Sequence, residues 1–141
     1  MADEFEMRRE IVEEHPRGRV VLVDTIAHIR PEHAGQVVVC GSHGGVSSGE
    51  YAARVPAAAV FFNDAGGGKD DAGRAALVLL EDRGVAAGTV SHDSAMIGDS
   101  LDCWQSGIVS ALNPRARAAG FTLGAPLRDT VRRVLGADDA Q

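Results

Sequence analysis

The hydrophobic positions of the chain gather into four short runs. They are Val20–Val23 in RVVLVDT, Val37–Cys40 in QVVVCGSHGG, Ala57–Phe62 in PAAAVFFND and Val85–Val90 in GVAAGTVSHD. The first three are continuously apolar, and the first two are rich in valine. A strand with one wet face alternates apolar and polar residues. An uninterrupted run instead fits a strand covered on both faces, as in a parallel sheet between helices.

Between the third and fourth runs the spacing becomes helical, with Ala72, Ala75, Ala76, Leu79 and Leu80 on one side. Asp70 and Asp71 stand at the start, where carboxylates suit the helix dipole, and Gly84 is placed to end the helix. Residues 57–90 therefore read as strand, helix, strand, a right-handed βαβ unit. Ser47 and Glu50 in SSGE have capping-box spacing and open a shorter helix that ends before Pro56. The link DTIAHIRPEHAG is short for a full crossover, so the first strand could equally pair antiparallel.

After the fourth run, DSLDCWQSG, NPRARAAG and APLRDTVRRVLG read as helices packed over the sheet. In the second, Asn113 is the N-cap, Pro114 the first helical residue and Gly120 the stop. In the third, Leu127, Val131, Val134 and Leu135 share a face. Residues 1–16 read as a charged helix, mobile or docked on a partner, and residues 137–141 as a tail. Between them, residues 17–136 form a single domain. The predicted fold is a small three-layer α/β/α domain with a mainly parallel sheet of about four strands, Rossmann-like or flavodoxin-like.

Composition narrows the partners. A chain of 141 residues can bury a core that needs no staples. A formal net charge of -6 offers neither nucleic acid nor an anionic membrane the basic surface that each attracts. No apolar run approaches the ~20 residues of a membrane span, and aromatic residues, at 4%, provide little stacking surface. The N-terminal MADEFEMRREIVEEH is acidic and lacks the apolar core of a secretory leader. Cys40 and Cys103 have neither metal-site nor redox-motif spacing and read as reduced thiols. These features predict a cytoplasmic protein with a small-molecule ligand, no cofactor and a possible homo-oligomeric state.

The candidate chemistry lies at the ends of the runs. Asp24-Thr25 follow the first, Cys40–Gly45 the second, Asn63-Asp64 and a glycine loop the third, and Ser91–Ser94 the fourth. In parallel strands these clusters meet at one edge, where open α/β sheets bind ligands. Gly66, Gly67 and Gly68 would let backbone N–H groups turn toward an anion at a helix start. Lys69 follows them and is the only lysine among 14 Lys and Arg residues. Unlike arginine it can lose its proton when buried and act as base or nucleophile. The spacing matches neither the G-x-x-x-x-G-K-[ST] phosphate loop nor G-x-G-x-x-G, and Asp70 and Asp71 would repel a triphosphate. A small carboxylate-like or polar ligand suits the loop better. The plain alternative is a solvated loop lysine in an arginine-biased chain.

In GSHGG, Ser42 is a candidate nucleophile, with the distant His92 a better general acid–base for it than the adjacent His43. Gly44 and Gly45 offer N–H groups for an oxyanion hole. His43, Asn63, Asp64 and Ser94 complete the ligand-binding set, although a glycine turn with incidental Ser and His accounts for the motif equally well. A metal site from His43, Asp64 and His92 lacks ligand spacing and is not favoured. In the first loop, His28 is a weak site candidate and His33 reads as solvent-exposed.

The sequence thus predicts an enzyme acting on a small polar carboxylate- or amide-bearing metabolite. It is hydrolase-type, with Ser42, Lys69 and His92 catalytic. Lyase or isomerase chemistry would use the same residue types. Two non-catalytic alternatives stand beside it: a small-anion-binding or regulatory module, and a structural homo-oligomer whose glycine turns permit close packing.

Overall fold

The computed structural model describes residues 8–66 and 74–137. One sheet of six strands runs in the order β1-β2-β3-β4-β5-β6. The strands are β1 (Arg9–His15), β2 (Gly18–Val23), β3 (Val37–His43), β4 (Ala59–Asn63), β5 (Ala86–Val90) and β6 (Val109–Leu112). The helices described are α1 (Val46–Ala52), α2 (Ala75–Asp82), α3 (Ser100–Ser106), α4 (Pro114–Ala119) and α5 (Leu127–Val134).

The four apolar runs are β2 to β5, and these strands are mutually parallel. Leu22 lies beside Val39 and Val39 beside Phe61, so large side chains stack across the centre of the sheet. Both faces are covered, which is why the runs lack alternation. On one face Val21, Val38, Val60 and Phe62 pack with Ile26, Ala52, Ala76, Leu77 and Leu80. On the other, Val20, Leu22, Val39 and Phe61 pack with Trp104, Ala116, Leu127 and Val131. The first face belongs to the β2–β3 connection, α1 and α2, and the second to α3, α4 and α5. Three successive right-handed crossovers, each moving one strand in the same direction, put their connections on one face. The C-terminal helices then close the other.

Several expectations change. The sheet has six strands, and its two marginal ones are antiparallel. Its order runs without the reversal found in Rossmann-like and flavodoxin-like sheets, so it has no topological switch crevice. The segment expected as a charged helix supplies edge strand β1. Arg132 of α5 pins that strand through a two-pronged pair to Glu13, which His15 also contacts at 2.7 Å. β2 pairs parallel with β3 rather than antiparallel, because two 3-10 turns, Ile26–His28 and Pro31–His33, are enough to complete the crossover. α1 begins at Val46 behind Gly45, without the expected Ser47 cap. Asp70 and Asp71, the expected start of α2, lie outside the described residues.

The Asn113 cap is as expected and reaches further. Its Oδ1 accepts from Ala116 N in α4 and from Ala87 N in β5, and its Nδ2 donates to the carbonyls of Leu77 and Val85. One buried amide thus ties α2, β5 and α4 together. Among the described residues no helix is long and apolar enough to cross a membrane.

Candidate functional site

The parallel register brings the polar strand ends to one edge. His43 lies opposite Asn63, and Asn63 opposite Val90, so the clusters after β3, β4 and β5 are neighbours. Asp24 follows β2 at the same edge, where its carbonyl accepts from Gly41 N at 3.1 Å.

Residues 91–99 then cross this edge from β5 back to β2 like a strap. Asn63 Nδ2 donates to the Ala95 carbonyl at 3.0 Å, Gly98 N donates to the Gly41 carbonyl at 2.7 Å, and both the N–H and the hydroxyl of Ser100 donate to Asp24 Oδ1. The strap lies flat on β3. A Cβ on Gly41 would stand 2.5 Å from the Gly98 carbonyl carbon and 2.6 Å from Asp99 N. Gly41 is required here by close backbone approach, not by its dihedral angles.

Much of the expected site therefore holds the strap. Asn63 is fully buried, and its Oδ1 accepts from Ala65 N at 2.8 Å, so it has no group left for a ligand. Ser94 donates to the Ser91 carbonyl and accepts from Ile108 N. Gly44 N donates to the Asn63 carbonyl and Gly45 N to the His43 carbonyl, so neither N–H is free for an oxyanion hole. The exposed His43 ring lies over Gly45, with Cε1 2.2 Å from where a Cβ would be. Ser42 Oγ accepts from Ile26 N at 3.0 Å, and no hydrogen bond joins it to His92 among the described residues. Asp24 ends the same way. Burial alone would raise its pKa, but the Arg8 and Ser100 donors outweigh that and hold the carboxyl below its usual range.

What remains open is a pair formed by Asp64 and His92. The Asp64 side chain is only 6% exposed, and its Oδ1 accepts from Gly66 N at 2.8 Å and His92 N at 3.0 Å. Burial pushes this carboxyl up, yet those two N–H groups, the Ser110 hydroxyl and the His92 ring prevail, and its pKa sits below the ordinary aspartate value. A buried, ionised carboxylate thus stands behind a ring that is 52% exposed. His92 Nδ1 is 3.5 Å from Asp64 Oδ1, and Nε2 is 3.1 Å from Asp93 Oδ1. Asp93 is 86% exposed, and a solvated pair of that kind is easily displaced. Gly66 packs beneath the His92 ring, so the glycine loop starts at this pair.

Gly67, Gly68 and Lys69 lie outside the described residues. His43, Asp64 and His92 form no metal site, since among the described residues no group of three His, Cys, Asp or Glu is placed to hold an ion. Both cysteines are free and buried. Burial raises the Cys40 thiol far above its ordinary value and that of Cys103 to about 11, so neither is a nucleophile. Sequence reasoning did not include Asp24, Gly41, Asp93 or Ser100 among the site residues. Asp24 and Asp93 were visible at strand ends, whereas the pairing of Gly41 with Gly98 has no local signature. His33, expected in solvent, is buried.

No family model, curated protein or solved structure matches the chain.

Proposed function

We propose that the C-terminal strand edge carries a hydrolase-type acid–base site centred on His92 and Asp64, acting on a small polar carboxylate- or amide-bearing metabolite. The observation that carries this reading is the buried Asp64 carboxylate behind the half-exposed His92 ring. A carboxylate stands at each ring nitrogen, but the charge of buried Asp64 is less screened than that of solvated Asp93, which favours the tautomer with its proton on Nδ1 and leaves Nε2 as the base once Asp93 is displaced. The 3.5 Å separation is an ion-pair contact without a hydrogen bond, which suits a resting site in which the bond forms only when substrate binds. Nε2 takes the proton of the attacking group, either a water molecule or the Ser42 hydroxyl, and in the second case a water molecule then hydrolyses the acyl-enzyme with His92 again as base. The nucleophile adds to the substrate carbonyl, the C–O or C–N bond breaks, and His92 returns the proton to the leaving group. Asp64 and Asp93 make the surroundings of His92 acidic, so an anionic substrate needs a nearby cation. Lys69, three residues after Gly66 in the sequence, is the candidate for that role.

A screen of p-nitrophenyl esters and anilides of small acids tests the reading. Asp64→Asn keeps acceptors for the two N–H groups but removes the charge, and turnover of the best substrate should fall about tenfold. Unchanged turnover in Asp64→Asn would remove Asp64 from the mechanism.

A second reading, a structural homo-oligomer whose glycine turns permit close packing, is favoured by the number of edge groups engaged internally, Asn63, Ser94, Gly44 and Gly45, and by the close approach of Gly98 to Gly41. A stable oligomer in sedimentation analysis, with neither turnover nor ligand-induced stabilisation by any screened compound, would support it.

A further inference from the structure

We propose that the cavity between β1, β2 and the Pro31–His33 turn is a second binding site, for a short dicarboxylate held by Arg9, Arg19 and His33. It encloses about 270 Å³ and involves none of the residues of the His92 site.

The donors converge on it from three elements. His33 is 6% exposed, and its Nδ1 accepts from Arg30 N at 3.0 Å. The ring proton of the neutral imidazole is therefore on Nε2, which has no hydrogen-bond partner among the described residues although the ring lines the cavity. Burial, followed by the charges of Arg9 and Arg30, lowers the His33 pKa against the opposing effect of Glu32. The ring thus stays neutral near pH 7 and serves as a donor of fixed direction.

Arg9 makes no ion pair among the described residues. Arg19 has only a half-exposed contact with Glu14, Nε to Oε1 at 3.3 Å, of a kind worth little in solvent. Ile11 lies opposite Val21, so Arg9 and Arg19, each two residues from one of that pair, share their face of the ribbon. Arg9 lies opposite Val23, four positions beyond Arg19, which is about 13 Å of strand.

Two guanidinium groups can thus fold in from opposite ends over an apolar floor of Ile11 and Val21. An inorganic ion would leave that floor uncovered. A four- or five-carbon chain with a carboxylate at each end covers the floor and meets a charged donor at both ends. Of the acidic neighbours, Glu10 is paired with Arg8, and Glu32 is exposed.

Calorimetric titration with succinate tests the assignment, with inorganic phosphate and putrescine as comparators. Succinate should bind the full chain with Kd below about 1 mM, and Arg9→Gln should weaken it at least tenfold, on the scale of a lost charge-assisted contact. His33→Asn retains an acceptor for Arg30 N and loses the Nε2 donor, so it should weaken binding about fivefold with an unchanged melting temperature. Glu32→Gln should tighten binding, and His92→Gln should leave it unaltered, which separates this site from the proposed catalytic one. The assignment is overturned if succinate at 10 mM gives no binding, or if Arg9→Gln binds it as well as the parent. Preference for putrescine would overturn it too, as would phosphate binding equal to succinate, which would mean an adventitious ion only.

Discussion

Gly41→Ala should lower the stability of the protein by about 3 kcal/mol, the cost of forcing a methyl group into a filled space. The added Cβ would meet three backbone atoms, the Gly98 carbonyl carbon at 2.5 Å, Asp99 N at 2.6 Å and Gly98 Cα at 2.7 Å. Backbone cannot move aside by changing rotamer, so the strap must lift as a body. Lifting it lengthens the bond from Gly98 N to the Gly41 carbonyl and strains the anchors on either side, Asn63 to Ala95 and Asp24 to Ser100. The polar side chains of Asn63 and Ser100 are fully buried, and losing a partner there costs more than the bond itself contributed. Urea unfolding at neutral pH measures the effect. Stability within 0.5 kcal/mol of the parent would mean that the strap does not press on β3.

The second large effect concerns chemistry rather than folding. His92→Gln should reduce kcat/KM for the best substrate of the ester and anilide screen by at least a hundredfold, the usual scale for a removed general base. The ring is half exposed and lies outside the two hydrophobic clusters among the described residues, and the backbone N–H that holds Asp64 remains in the variant. The melting temperature should accordingly stay within about 2 °C, since exposed substitutions rarely move stability by more than ±0.5 kcal/mol. Full activity in His92→Gln would exclude it as the base. A large loss of stability would instead make its role structural.

The sheet was legible where burial was symmetrical. β2 to β5 are covered on both faces, so their sequences are simple apolar runs, and α4 announced itself through Asn113, Pro114 and Gly120. The marginal strands lacked such a signal. β1 reads REIVEEH, and its charges belong to partners distant in sequence, with Glu13 bound to Arg132 on α5. A register irregularity between Ile11 and Glu13 further breaks its alternation. β6 is four residues long, and its Ser110 hydroxyl meets Thr89 on β5, a pairing that only the folded sheet creates.

The common edge of the polar strand ends was legible in the sequence, and the roles of those residues were not. A polar side chain that holds backbone has the same identity as one that holds a ligand. Asn63 and Ser94 hold backbone. His92 and Asp64 differ from them because one is half exposed while the other is buried and charged beside it. His33 was misplaced because its burial depends on the packing of a 3-10 turn over the β1–β2 ribbon.

The tautomer of His92 tests the central claim most directly and needs no substrate. Nitrogen-15 NMR of the imidazole, at a pH where the ring is neutral, distinguishes a proton on Nδ1 from one on Nε2. The Asp64–His92 arrangement predicts a proton on Nδ1, facing Asp64, and a shift of the tautomer balance toward Nε2 in Asp64→Asn. A ring protonated on Nε2 in the parent and unchanged in the variant would contradict it.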